Sequence, residues 1–328
     1  MSLAIHRQRV CEELHALGHR IVDVPDTATR IDAADLCWDP GLGMRRVPRV
    51  LPDATIPVVV TVHGLLAFAL PFRERSRGLR WLPGDLLRRH RVRTDWQGLA
   101  SRVSAVIAVS AYGAREVEQV LGIDATRVHA VYHGVDHRVF RCGGPATATG
   151  KPYFLVVAQE QPKKNLRRIF AAHRSLDPAS RPALIAVVPG HRDTATPAED
   201  VQIRTAPHAP GEIAELMRGA VALVLPSLHE TFGMPLLEAM ACGCPVITSD
   251  VTACPEVVGD AGLCVDPRDV AAIASAMSDV STDASLRSTM RERGLRRAAQ
   301  FTWRKSAERH VEIFEAVVSK SARETSAP

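Results

Sequence analysis

The chain has 328 residues, 46% of them hydrophobic, which suits a soluble globular protein with two domains of ordinary size. Its longest apolar stretch, Val58 to Phe72, is broken by His63 and falls short of the roughly 20 residues that span a bilayer, and the polar start MSLAIHRQR has no signal-peptide core. The formal charge of +5 favours anionic partners without naming one. Seven cysteines cannot all pair, and four of them, Cys242, Cys244, Cys254 and Cys264, sit among small apolar residues, as expected of buried thiols in a reducing cytoplasm.

Val10, Leu14 and Leu17 mark one face of a first helix closed by Gly18, and Arg20 to Val24 reads as a strand. Further strands are expected at Asp35 to Trp38, Pro57 to His63, Ala105 to Ser110 and Val128 to Tyr132. Short apolar strands alternating with helices imply a parallel sheet covered on both faces. His63 closes one such strand, and ligands of open α/β sheets bind beyond the carboxyl ends of the strands. It is therefore either a ligand contact or a structural histidine bonded to backbone. Ser110 is placed to cap the helix that runs toward Leu121. Arg73 to Arg93 carries eight arginines against Glu74 and Asp85, with Leu79, Trp81, Leu82, Leu86 and Leu87 among them. This segment reads either as a solvated basic face with its leucines in the core or as a docking surface for a membrane or an anionic, lipid-linked acceptor. No aromatic stacking series points to nucleic acid.

Cys142 to Pro152 reads as a linker. Beyond it, the strand Tyr153 to Val157 leads through Lys163, Lys164 and Asn165 into a helix from Leu166, so both lysines fall at a strand-to-helix turn. Strands at Ala183 to Pro189 and Val201 to Thr205 and a helix at Gly211 to Arg218 come next. The most informative stretch follows the strand Val221 to Leu225: His229 to Pro245 reads HETFGMPLLEAMACGCP. Gly233 supplies a sharp turn into a helix from Pro235 to Cys242, and a helix N-terminus facing a loop favours an anion. Glu230 and Glu238 beside it suit a ligand with hydroxyls as well as phosphate, because ionised carboxylates only accept hydrogen bonds. A nucleotide sugar has that mixture; alternatively Glu238 complements the helix N-terminus and Glu230 is a solvated loop residue. No Asp-x-Asp is present near this stretch, and Cys242-x-Cys244 lacks a second ligand pair, so no metal site is expected. The remaining expectations are a strand at Leu263 to Val265, a helix opened by Asp266-Pro267, helices at Arg287 to Ala299 and Trp303 to Val318, and a frayed tail after Ser319.

Glu230 and Glu238, seven residues apart, together with Phe232-Gly233-Met234-Pro235 and the run from Glu238 to Pro245, resemble the donor-site signature of retaining glycosyltransferases of family 4. The resemblance implies the GT-B fold, an α/β architecture of two Rossmann-like domains with parallel sheets facing a cleft. Residues 1–145 would be the acceptor side, 146–300 the nucleotide-sugar donor domain, and 301–328 a helix packing back on the first domain. The family usually opens with a strand and a glycine-rich loop; here that first strand is missing or disguised, so the first domain is expected to be short. By the same resemblance Glu238 would hold ribose, and Glu230 and His63 would lie near the transferred sugar. The amides of Phe232, Gly233 and Met234 would surround sugar and phosphate, while Lys163 and Lys164 would meet the diphosphate. Lys163 and Ala158 replace the family's more usual arginine and glycine, and His133 replaces an asparagine in its Asn-Gly-Val-Asp segment. The implied activity moves a sugar from a donor such as GDP-mannose or a UDP-sugar to an acceptor hydroxyl, in polysaccharide, glycolipid or other glycoconjugate synthesis. It would need no cofactor, and the lysines would offset the charge that develops on the leaving diphosphate. The alternative is an inactive nucleotide-sugar-binding subunit.

Overall fold

A computed structural model of the chain describes residues 2–25, 31, 34–42, 55–65, 68, 70–75, 82–147, 149–191 and 199–326. The chain divides into two compact units. One holds residues up to 134 and those from 302 onward, apart from a short segment beginning at Glu74; the other is built on residues 135–301.

The first unit contains α1 (Ser2–Ala16), β1 (Cys37–Leu42), β2 (Val58–Val62), α2 (Leu82–Leu99), β3 (Val103–Ala108), α3 (Ala111–Leu121), β4 (Val128–Ala130) and α10 (Trp303–Ser326). Among the described residues its strands are parallel in the order β1-β2-β3-β4. Both faces of β2 are covered. Val58, Val60 and Val62 pack with Val92, Trp96 and Leu99 of α2 and Val117 of α3, while Val59 joins Ala105, Ile107 and Val131 against Ile313 of α10. That double burial is why the strand reads as an apolar run broken only by Thr61, whose hydroxyl accepts from Trp38 Nε1 at 2.9 Å. Ser110 caps α3 as expected, its hydroxyl accepting from the Gly113 amide at 2.9 Å.

Two expectations for this unit are corrected. Arg20 to Val24 forms no strand; Val22 and Val24 are exposed, and no strand among the described residues pairs with them. The chain after Ser319 is not frayed, because α10 continues to Ser326. The first strand also runs past Trp38, through Pro40 and Gly41 to Leu42. It lies at the sheet edge, where a proline's missing amide breaks no ladder bond.

The second unit contains β5 (Tyr153–Val157), α4 (Leu166–Ser175), β6 (Ala183–Val187), β7 (Val201–Arg204), α5 (Pro210–Gly219), β8 (Ala222–Leu225), α6 (Met234–Ala241) and β9 (Val246–Ser249). It continues with α7 (Cys254–Val258), β10 (Gly262–Val265), α8 (Val270–Thr282) and α9 (Ala284–Ala298). Its six strands are parallel in the order β10-β9-β8-β5-β6-β7. Asp269, not Asp266, caps α8, accepting from the amides of Ala271 and Ala272; Asp266 accepts from the Arg268 amide and closes the preceding turn. Cys242, Cys244 and Cys254 are buried as expected, but Cys264 is exposed because β10 is an edge strand with one open side.

Candidate active site

The strand order of the second unit reverses at β5, which has β6 on one side and β8 on the other. Loops leaving the carboxyl ends of two such neighbours diverge and open a crevice, the usual ligand position in a parallel α/β sheet. The loop after β5 carries Lys163 and Lys164, and the loop after β8 carries Glu230. They meet there: Lys164 Nζ lies 2.6 Å from Glu230 Oε1, with the two side chains only 12% and 7% exposed. The Leu228 amide donates to the Lys163 carbonyl at 2.7 Å and ties the loops together. Burial pushes the Glu230 carboxyl up, but the charges of Lys164 and Lys163 and the Lys164 hydrogen bond outweigh it and hold it below the ordinary glutamate value.

Gly233 turns the chain into α6. Its φ is 95°, a conformation that strains any side chain, and an added Cβ would also come 2.8 Å from Leu236 Cδ1 and force that side chain to shift. Pro235 sits in the first turn of α6, where the missing amide costs nothing. Phe232 is buried edge-on against Phe301, with ring centroids 6.1 Å apart, and anchors the loop from below. Glu238 is the fifth residue of α6, beyond the first turn, so it does not serve as an N-terminal charge for that helix. It retains some exposure, yet burial pushes its carboxyl up to about 7. A site with one carboxylate held charged and another near neutrality offers both a pure acceptor and a group able to donate or accept toward a diol.

The predicted site residues Lys163, Lys164, Glu230, Phe232, Gly233, Met234 and Glu238 therefore all belong to the carboxyl end of one sheet. His63 belongs to the other unit. Its Nε2 lies 2.8 Å from the Pro40 carbonyl, which can only accept, so the ring proton sits on Nε2. Around it is a buried cluster that the sequence reading did not foresee. His6 of α1 lies 4.8 Å from His63 and 4.9 Å from His133 between ring centroids, His63 stacks on His133 at 5.5 Å, and His310 of α10 is 5.6 Å from His6. Trp38 and Trp303 complete the surround. Neither ring nitrogen of His6 has a hydrogen-bond partner among the described residues, while His310 Nδ1 donates to the Ser306 carbonyl at 2.7 Å. Burial lowers the affinity of all four imidazoles for a second proton, and the neighbouring rings lower it further at His6 and His133; His63 and His310 are each brought to about 4 by burial, against the opposing hydrogen bonds to the Pro40 and Ser306 carbonyls. Residues 6, 63, 133 and 310 share no sequence spacing, so no motif could have announced the cluster. Among the described residues no three His, Cys, Asp or Glu side chains form a group able to hold a metal ion.

In α2, Leu82, Leu86 and Leu87 are exposed, by 36%, 55% and 69%, while Val92, Trp96 and Leu99 form its buried face. These three leucines are not in the core, which corrects that part of the solvated-face reading of the arginine-rich segment. Arg91 and Arg93 are exposed on the same helix, and Arg89 lies over the Phe68 ring at 5.2 Å. Arg77, Leu79, Arg80 and Trp81 fall outside the described residues, as do the side chains of Arg73, Arg75 and Arg88.

Comparison with known proteins gives two family models side by side: Glycosyltransferase Family 4 over residues 26–139 and Glycosyl transferases group 1 over residues 144–297. The O-antigen chain mannosyltransferase B of Escherichia coli is 35% identical over 161 residues, which are 46% of this chain and 42% of that protein. A D-inositol 3-phosphate glycosyltransferase of Catenulispora acidiphila is 32% identical over 249 residues, 66% of this chain and 59% of that one. The chain thus spans less than two thirds of the length of these relatives. Among solved structures, sucrose-phosphate synthase of Thermosynechococcus elongatus superimposes with a TM-score of 0.66 at 20% identity, covering 81% of this chain and 69% of that one. The Anabaena HepE protein in complex with UDP and glucose gives 0.66 at 17% identity, covering 86% and 77%.

Proposed function

The chain belongs to glycosyltransferase family 4 and has the GT-B fold, and on that premise we propose that it is a retaining glycosyltransferase that moves a sugar from a nucleoside diphosphate to an acceptor hydroxyl. The observation that carries this reading is the Lys164–Glu230 pair at the β5/β8 crevice, with Lys163 next to it in sequence and Glu238 in α6, the helix that follows the Glu230 loop. Sugar transfer releases a nucleoside diphosphate, so negative charge grows on the bridging phosphate oxygen as the glycosidic bond breaks. An ammonium group already held at that place stabilises the transition state more than the ground state. Lys164 supplies it, and Lys163 adds to it. Glu238 takes the ribose diol; Glu230 keeps Lys164 in place and faces the sugar, with the backbone of Phe232, Gly233 and Met234 around sugar and phosphate. His63, in the first unit, would act as a neutral hydrogen-bonding group and not as a cation.

Donors with a mannosyl group and either GDP or UDP are the first to test, because relatives named as mannosyltransferases and a HepE complex with UDP bracket that chemistry. Transfer should persist in excess chelator, and NMR of the product should show the anomeric configuration of the donor. Activity lost in chelator and restored by magnesium would overturn the metal-free part of the reading. An inverted product would overturn the retaining part.

The acceptor is assigned to the first unit and, through α2, to a lipid-linked molecule at an anionic membrane surface. Leu82 and Leu86 stand one turn apart on the outer side of α2, and Arg93 lies seven residues beyond Leu86 on the same side. Each basic residue near an anionic surface is worth about 1 kcal/mol, and leucines that enter the headgroup layer add to it. No described helix is long and apolar enough to cross a membrane, so contact would be peripheral. Sedimentation with phosphatidylglycerol-containing vesicles should retain the parent at low salt and release a variant with Leu86→Ser, Leu87→Ser, Arg91→Gln and Arg93→Gln. Equal binding by both, or by neither, removes the membrane assignment.

A further inference from the structure

Among the described residues only two that are not glycine have positive φ: Asn165 at 61° and Thr252 at 63°. For threonine, with its branched Cβ, the left-handed conformation is a genuine outlier that persists only where surrounding structure compels it. Both residues flank the same ion pair. Asn165 directly follows Lys164, and Thr252 holds the backbone of Glu230.

We propose that Thr252 and Asn165 are positioning residues that fix the Lys164–Glu230 pair at the donor site; the functional side of this rests on the glycosyltransferase reading above. Thr252 Oγ1 accepts from the Glu230 amide at 3.1 Å and donates to the Val251 carbonyl at 2.6 Å, while the Ala253 amide donates to the Glu230 carbonyl at 3.2 Å. Both main-chain groups of Glu230 are thus gripped by the turn that the left-handed Thr252 creates. An extended or helical φ at residue 252 would swing the hydroxyl and the next amide away from Glu230 together.

On the other loop, the reversal at Asn165 closes the turn Pro162–Lys164, its amide donating to the Pro162 carbonyl at 3.1 Å. Its side chain then bridges three segments. Nδ2 donates to the carbonyls of Pro226 after β8, at 2.9 Å, and of Pro267 after β10, at 2.6 Å, and Oδ1 accepts from Arg168 at 3.0 Å. Pro226 opens the loop that carries Glu230, so this bridge sets the distance between the loops that bear the two charges. Glycine would adopt either φ without steric cost. What the threonine and asparagine add is their side-chain hydrogen bonds to the opposite loop.

The test uses the full chain with Thr252→Gly, Thr252→Ser, Asn165→Gly and Asn165→Asp. Thr252→Gly keeps the turn and loses the hydroxyl, so its thermal midpoint should not fall, yet Glu230 should lose its fixed direction. Misplacing a reacting group costs up to roughly a hundredfold in rate, and kcat should drop by about tenfold or more with donor affinity little changed. Thr252→Ser should restore kcat to within about twofold of the parent, since it retains the hydroxyl. Asn165→Gly and Asn165→Asp should both lower kcat, because neither keeps the Nδ2 donor. A parental kcat in Thr252→Gly would overturn the proposal. Hydrogen exchange at the Glu230 amide, followed by NMR, decides it without any donor: exchange should quicken in Thr252→Gly and not in Thr252→Ser. Unchanged exchange in Thr252→Gly overturns the positioning role even if no nucleotide sugar is ever turned over. Faster exchange together with no turnover in the parent would retain the loop geometry and overturn only the glycosyltransferase reading.

Discussion

Replacing Lys164 by alanine is expected to reduce sugar transfer by about a hundredfold, the cost of removing one charge-assisted donor from a developing anion. The same change should destabilise the fold. With the lysine gone, the Glu230 carboxylate would remain buried, its side chain only 7% exposed, without the cation that holds its proton affinity down. Breaking a buried pair by removing one partner costs about 3–5 kcal/mol, because an uncompensated charge is left behind. The two effects can be separated. Adding Glu230→Gln to Lys164→Ala removes the orphaned charge, so the thermal midpoint should recover toward the parent. Transfer should not recover, since no ammonium has been restored. If transfer returned together with stability, Lys164 would be a structural residue only, and the double-mutant cycle would say so.

Acidification is expected to unfold the first unit well before the carboxylates of an ordinary protein titrate. The unfolded chain binds a proton at each histidine near pH 6.5, whereas His63 and His310 in the folded chain bind one only at about 4, with His6 and His133 also lowered. A base whose folded pKa is depressed contributes stability above its unfolded pKa and loses it as the pH falls toward the folded one. The window therefore runs from about 6.5 down to 4. At one pKa unit per 1.36 kcal/mol, His63 and His310 each account for about 3 kcal/mol across it. The four rings share one cluster and titrate as a group, so these figures do not simply add. All four tryptophans, Trp38, Trp81, Trp96 and Trp303, fall in chain segments of the first unit, which makes indole fluorescence a report on that unit. Urea midpoints should fall steeply between pH 6.5 and 5, and His310→Asn, which retains a donor for Ser306 but cannot charge, should flatten the slope by up to one proton. Midpoints independent of pH in that range would show that the cluster is already hydrated.

Much of this was legible because burial writes itself into sequence. Val58 to Val62 and Tyr153 to Val157 are covered on both faces and read as largely apolar runs, so the parallel sheets could be placed from them. The turn at Gly233 and the helix after it were legible for a similar reason, since few residues tolerate that backbone. Arg20 to Val24 has a strand's β-branched residues but, among the described residues, no neighbour to pair with, and propensity alone does not supply one. The meeting of Lys164 and Glu230, 66 residues apart, depends on the strand order reversing at β5, which no local pattern encodes. Thr252 in a left-handed turn runs against the preference of its own residue type, so local propensity points away from it. The histidine cluster gathers residues from α1, the ends of β2 and β4, and α10, and only the return of the last helix to the first unit brings them together.

The central claim is that the carboxyl end of the second unit's sheet binds a nucleoside diphosphate sugar through Lys164, Glu230 and Glu238. Calorimetric titration of GDP- and UDP-sugars into the parent and into Glu238→Ala measures it most directly. At least one of them should bind the parent, and loss of the ribose contact should weaken that donor by about tenfold or more, a charge-assisted hydrogen bond being worth roughly 1.5–3 kcal/mol. Equal affinity in both proteins, or no heat from any nucleotide sugar with the parent, would contradict the account.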